Sequence, residues 1–187
     1  MIIEGLLTTC NPDGSPHVAP MGPTISPGGR RLLLRPFPTS QTCQNLRQHP
    51  EGVFHITDDA LLLARAAIGR VTEFPPTASA CRVRGYILRD ACRALEFRVV
   101  EIDDSEPRIR MDCEICQVHY LRDFVGFNRA KHAVVEAAIL ATRVHLLSRQ
   151  DILTEYDKWD VIVGKTGGAD EVQAMRELRE YVVERLA

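Results

Sequence analysis

The sequence predicts an α+β protein in which about seven short strands close into an antiparallel barrel, followed by a helical C-terminal segment. Up to residue 120 the apolar residues alternate or run in short stretches bounded by Pro, Gly, Asn and Asp. Beyond residue 124 the spacing turns helical, with Ala130, Val134, Ala137, Ala138 and Ala141 along one face. Closure follows from a third consideration, that an antiparallel sheet of this size otherwise leaves open edges. The expected organisation is a barrel over 1–123 and a helical segment over 124–187 packed on it.

Taken in order, a strand over 2–9 runs into Asn11-Pro12-Asp13-Gly14, whose Pro and Gly suit a tight reversal, and 16–21 returns to complete a hairpin. Pro16 and Pro20 have no N–H for a ladder, so the returning strand belongs at an edge or is irregular. Gly28-Gly29 leads into a strand at 30–35, and further strands are read at 52–57, 81–88, 93–102 and 109–120. Thr39 or Ser40 caps a short helix over 41–49 that Pro50 ends, and Asp58 caps another over 59–68. Asn128 opens a long helix over 128–147, and Gly167-Gly168 turns the chain into a second over 169–186.

The 187 residues are 45% hydrophobic and 26% charged, a composition that supports a packed core without a metal or disulfide. Lys plus Arg is 23 against 25 for Asp plus Glu, and the net charge of -2 creates no field for nucleic acid or an anionic membrane. The apolar stretches at 60–64 and 137–141 fall far short of the roughly 18 residues of a membrane span. The N-terminus reads as a strand rather than a signal peptide, so a cytoplasmic protein is expected. Six cysteines are too few for a disulfide scaffold. Cys113 and Cys116 form a CxxC inside an alternating run and are read as strand residues; no metal site is expected.

The histidines show neither HExxH nor HxH spacing, and His55, between Phe54 and Ile56, is read as a core imidazole or one facing the barrel interior. The segment 161–168 imitates a phosphate-binding loop, but position 159 is Trp159 where that motif needs glycine. Lys165 and Thr166 stay as candidate anion donors. Two stretches carry more chemistry. Pro20, Met21 and Gly22 lie in a broken strand whose backbone groups suit either a flat ligand or a simple bulged edge. Thr39, Ser40, Thr42 and Asn45, with Gln41 among them, surround a helix N-terminus, a donor set suited to a phosphate monoester and richer than the single hydroxyl a cap requires. Asn128 and Arg129 open the long helix, where the guanidinium either reaches a phosphate or carboxylate or lies on the surface.

Several segments, in order, carry a resemblance. They are 14–22 ending in Ala19-Pro20-Met21-Gly22, the helix start at 39–46, His55-Ile56-Thr57-Asp58-Asp59, Phe127-Asn128-Arg129-Ala130 with Val135-Glu136-Ala137 and Ala141-Thr142-Arg143, and Lys165-Thr166-Gly167-Gly168. Together the chain resembles the FMN-binding split-barrel superfamily, which includes flavin reductase-like and pyridoxamine phosphate oxidase-like proteins. It is most similar to an uncharacterised family of methanopterin-using microbes. The resemblance implies a homodimer with FMN near the subunit interface. Thr39, Ser40, Thr42 and Asn45 would hold its phosphate, and Met21 and Gly22 would lie against its ring. Pro20, Gln41, His55, Asn128, Arg129, Lys165 and Thr166 complete the implied cofactor contacts. His55 stands where the family is expected to carry Asn.

No residue stands out as a catalytic acid or base, and hydride transfer to a flavin does not demand one. The activity the resemblance implies is an FMN-dependent, flavin reductase-like oxidation or reduction using NAD(P)H or a pterin in one-carbon metabolism. The alternative is a non-catalytic FMN-binding or flavin-carrier protein; a barrel that binds no flavin ranks last.

Overall fold

A computed structural model describes residues 1–186; Ala187, the end of the expected helical segment, lies outside the described residues. The chain forms two compact units, Met1–Thr57 with Phe74–Phe124, and Asp58–Glu73 with Val125–Ala187. The short helix at residues 60–67 thus groups with the C-terminal helices, although its sequence neighbours are strands.

In the first unit the chain order is β1 (Gly5–Cys10), β2 (Pro16–Met21), β3 (Thr24–Ile25), β4 (Arg31–Leu34), α1 (Gln41–Gln48), β5 (Glu51–Ile56), β6 (Thr77–Ser79), β7 (Tyr86–Leu88), β8 (Arg93–Asp103) and β9 (Arg110–Tyr120). Seven strands form one antiparallel sheet in the order β2-β1-β5-β8-β9-β4-β3. The residues ahead of β1 reach across to β3: Ile2 bridges Thr24, Ile3 N–H donates to Pro23 O at 3.1 Å, and Ile25 N–H donates to Met1 O at 3.0 Å. That link closes the sheet into a barrel and leaves β2 outside the ring as a spur with a neighbour on one side only. The prolines explain the placement, since Pro16 and Pro20 fit only a strand with one unpaired edge.

The β1–β2 turn closes through Gly14 N–H to Asn11 O at 2.9 Å, with Gly14 at a φ of 85° that favours glycine. The barrel interior is filled by Leu7, Leu32, Leu34, Phe54, Leu95, Phe97 and Met111, plugged by Cys43 and Leu46 of α1. Gly5 permits the tight β1–β5 approach, because a Cβ there would lie 2.3 Å from His55 O.

One expected strand is corrected. Only Tyr86–Leu88 of residues 81–88 is extended, pairing with β6 in a separate two-stranded sheet. The N–H groups of Cys81, Arg82 and Val83 turn instead to the Glu96 carboxylate at 2.9, 2.6 and 3.1 Å, and Arg84 N–H to Glu51 Oε2 at 2.7 Å. Side-chain oxygens take the donors a ladder would need.

The second unit contains α2 (Ala60–Ala67), α3 (Arg129–Ala141), α4 (Arg149–Thr166) and α5 (Ala169–Arg185). Asp59, not Asp58, caps α2 by accepting from Leu62 N–H at 2.8 Å. The small-residue face of α3 is buried as its spacing requires, with Ala130, Val134, Ala137, Ala138 and Ala141 all in the core. That helix stops at Ala141, and α4, which the sequence did not reveal, starts after its cap Ser148. Its buried stripe is thin, Ile152, Tyr156 and Val163 across 18 residues, which is why no amphipathic pattern stands out. Tyr156 compensates by donating to Ala137 O at 2.8 Å. Lys131 joins three segments through Asp58 O at 2.7 Å and Glu171 Oε1 at 2.8 Å, while Glu171 Oε2 accepts Gly168 N–H at 2.8 Å.

Candidate functional site

The first candidate constellation sits where α1 begins beside β2. Ser40 is the N-cap: its Oγ accepts Cys43 N–H at 3.2 Å and donates to Phe37 O at 2.7 Å. Its hydroxyl is therefore engaged in ordering the helix start. Thr39 and Gln41 are exposed, and the first-turn N–H groups of Gln41 and Thr42 lie ahead of the intrahelical ladder with the positive end of the helix dipole. Thr42 is buried, with its Oγ1 3.4 Å from Nε2 of His17 on β2.

Asn45 turns inward. Its Nδ2 donates to Thr9 Oγ1 at 2.9 Å and Asn11 Oδ1 at 3.0 Å, and its Oδ1 accepts Gln41 Nε2 at 2.8 Å. With only 1% of its surface exposed, Asn45 fixes α1 to the β1–β2 turn and presents nothing outward. His55 also turns inward and matches the core-imidazole reading. The ring is fully buried, Nδ1 lies 3.2 Å from Leu6 O, and Nε2 accepts Leu88 N–H at 3.0 Å. Both nitrogens are engaged inside the barrel unit, so the structure gives His55 a scaffolding role. Burial, opposed by the Leu6 carbonyl, holds its pKa down to about 4, and the ring is neutral at physiological pH.

Along β2, Met21 packs partly into the barrel core, Pro20 is half-buried, and Gly22 is exposed just past the strand. A Cβ on Gly22 would meet the Glu4 carboxylate at 2.9 and 3.1 Å and Ile2 at 3.1 Å, so glycine lets the backbone pass close over them. Four residues of strand, about 13 Å, separate His17 from Met21. An unpaired strand edge with a helix N-terminus at one end suits an elongated ligand with an anionic head. A phosphate fits the two backbone N–H groups and the exposed hydroxyl; burial holds the nearby His17 imidazole below its usual pKa, so it takes part as a hydrogen-bonding group and not as a cation. In the sequence His17 stands among the histidines without a motif; its one signal is its place next to Pro16 within the edge strand.

The remaining candidates lie in the helical unit. Asn128 caps α3 by accepting Lys131 N–H at 3.1 Å, and its Nδ2 donates to Thr166 O at 2.9 Å. One bond thus joins the start of α3 to the end of α4 and brings residues 128–129 beside residues 165–166, far apart in the chain. Arg129 and Lys165 are exposed. The Thr166 hydroxyl donates to Ile162 O at 3.0 Å and is engaged in its own helix.

Cys113 and Cys116 are separated by the strand itself. Three residues apart on one strand, they point to opposite faces, Cys113 into the barrel core and Cys116 to the outer face, so the two thiols do not share a site. Burial pushes the Cys113 thiol well above the ordinary thiol range. Among the described residues, no helix is long and apolar enough to cross a membrane.

A closed antiparallel barrel with a spur strand and a helix plugging one side is the split-barrel fold of flavin reductase-like proteins, and solved structures share it. The chain belongs to the DUF447 family of proteins of unknown function: residues 3–122 match the family's N-terminal domain and residues 128–180 a second region. It is similar to an FMN-bound protein of that family from Methanosarcina mazei, at 21% identity and TM-score 0.82, over 96% of this chain and 94% of the other. Flavin reductase HpaC complexed with NADP+ aligns at 15% identity and TM-score 0.57, over 68% of this chain and 82% of the reductase. The styrene monooxygenase flavin reductase from Pseudomonas putida aligns at 12% identity and TM-score 0.54, over 64% and 80%. These two alignments cover about two thirds of the chain, whereas that with the Methanosarcina protein covers 96%. No curated protein matches the sequence.

Proposed function

We propose that the protein is an FMN-binding flavoprotein and that its flavin serves an oxidation or reduction of a small molecule. The observation that carries the reading is the pairing of α1's N-terminus with the free edge of β2 through Thr42 and His17. The FMN-bound relative from Methanosarcina mazei supports it. In this reading the phosphate meets the N–H groups of Gln41 and Thr42 and the Thr39 hydroxyl, with Ser40 and Asn45 holding that turn in shape. Pro20, Met21 and Gly22 supply a backbone surface for the ring. Arg129 and Lys165, both in the helical unit, form a separate anion contact for a small-molecule carboxylate or phosphate.

Bound flavin supplies reversible hydride and electron chemistry, and the protein's part is position and electrostatics. Backbone N–H groups near Gly22 stabilise charge at the polar edge of the ring, while the half-buried Met21 covers its face. NAD(P)H is the proposed donor, a pterin the proposed acceptor class, and a twofold dimer of cytoplasmic protein the proposed assembly. Exposed Val100 and Ile102 at the end of β8 support such a dimer.

Anaerobic mixing of the FMN-loaded protein with NADH or NADPH tests the reaction. Bleaching of the flavin within seconds supports an oxidoreductase. A flavin that stays bound and oxidised with both donors points to a carrier instead.

A further inference from the structure

The outer face of the barrel carries a cluster that the proposed flavin site does not use. Glu96 pairs with Gln117 and Ala94 with His119, so Glu96 and His119 are diagonal neighbours on one face of β8 and β9. The bend ahead of β7 brings Cys81 onto them. His119 Nε2 lies 2.6 Å from Glu96 Oε1, and Cys81 Sγ lies 3.2 Å from that oxygen and 3.8 Å from His119 Nε2. Glu96 is fully buried, yet the thiol it faces is exposed and the imidazole partly so.

We propose that Cys81, Glu96 and His119 bind a divalent transition metal of the zinc class, with the fourth position open to water. The donor set is thiolate, imidazole and carboxylate, the mixture that zinc accepts and that hard cations such as Mg2+ avoid. Ordinary zinc bond lengths in a tetrahedron place the three donors about 3.4–3.6 Å apart. The sulfur edges already match within about 0.4 Å, and the imidazole–carboxylate edge must open by about 0.8 Å. Glu96 is fixed beforehand, its Oε2 accepting Arg82 and Val83 N–H and its Oε1 accepting Cys81 N–H. Such backbone anchoring is what orients a ligating carboxylate. On binding, the Cys81 thiol loses its proton to solvent, and His119 takes the tautomer with its proton on Nδ1 so that Nε2 ligates.

The test uses the full chain stripped with a chelator, dialysed against micromolar Zn2+ and assayed for metal by elemental analysis, with circular dichroism as the check on folding. The site predicts about one zinc per chain, at least tenfold slower alkylation of Cys81 when zinc is present, and at least tenfold weaker binding in both C81A and H119A. No stoichiometric zinc, or zinc retained equally in folded C81A and H119A, overturns the proposal and leaves a hydrogen-bonded triad. FMN uptake measured on the same samples reports the flavin reading separately, since neither substitution touches α1 or β2.

Discussion

Thr42 of α1 and His17 of β2 lie with Oγ1 and Nε2 3.4 Å apart, linking the helix that plugs the barrel to the strand left outside it. This link sets the anion-binding end of the proposed flavin groove, and the first prediction follows from it. Replacing Thr39 and Thr42 together by Ala removes two hydroxyls from the helix start without touching the cap at Ser40. FMN affinity is expected to fall about 10- to 100-fold, the scale of a lost hydrogen bond to a charged group. Riboflavin, which lacks the phosphate, is expected to bind the variant and the parent equally. Fluorescence titration of both flavins makes the comparison.

Gly22 gives a second prediction. In G22A the new methyl meets only side-chain ends, the Glu4 carboxylate at 2.9 Å and Ile2 at 3.1 Å, so stability should fall by about 1 kcal/mol. The same methyl protrudes from the proposed ring surface, and FMN binding should weaken. In G5A the methyl would meet the His55 backbone oxygen at 2.3 Å, and the barrel should be strongly destabilised. Thermal melts of the two variants, with FMN titration of G22A, separate the ligand effect from the packing effect.

The buried His55 predicts a pH dependence of stability. Its pKa is about 4 in the folded protein against 6.5 in the unfolded chain, so unfolding takes up a proton as the medium acidifies. Stability is full above pH 6.5, declines as pH falls toward 4, and loses on the order of 3 kcal/mol across that window. H55A should flatten this slope, although it is less stable than the parent at pH 7 because Leu88 N–H loses its acceptor. Urea unfolding at a series of pH values measures the slope directly.

Lys131 supplies a prediction for the helical unit. Burial raises the Glu171 carboxyl, but Lys131 and the Gly168 N–H outweigh it and hold the pKa below its ordinary value. This stability is present above the ordinary carboxyl pKa of about 4.5 and is lost as pH falls through the lower folded value. K131M leaves Glu171 without its cation and should cost about 1–3 kcal/mol, less than a fully buried pair because the lysine is partly exposed. The deficit should shrink in acid, where Glu171 is protonated.

The barrel's first hairpin, the placement of Pro16 and Pro20 at an edge, and the buried alanine face of α3 were all legible, because each rests on local rules of period, turn chemistry and proline geometry. Two things were not. Residues 81–84 have the apolar alternation of a strand, and only the distant Glu96 and Glu51 carboxylates bend them away. The helix α4 buries so few side chains that its period is lost among charges. The site divides similarly: the hydroxyl-rich start of α1 and the core place of His55 between Phe54 and Ile56 were visible, whereas the inward turn of Asn45 depends on Thr9 and Asn11, and the partners of His55, Leu6 and Leu88, are ones that only the fold brings near.

The central claim is that the groove between α1 and β2 binds FMN through its phosphate. The most direct measurement is the visible absorbance of purified protein after incubation with excess FMN and gel filtration. About one flavin retained per chain, and its loss in the Thr39→Ala, Thr42→Ala variant, is the predicted result. A colourless protein that takes up no FMN would contradict the account.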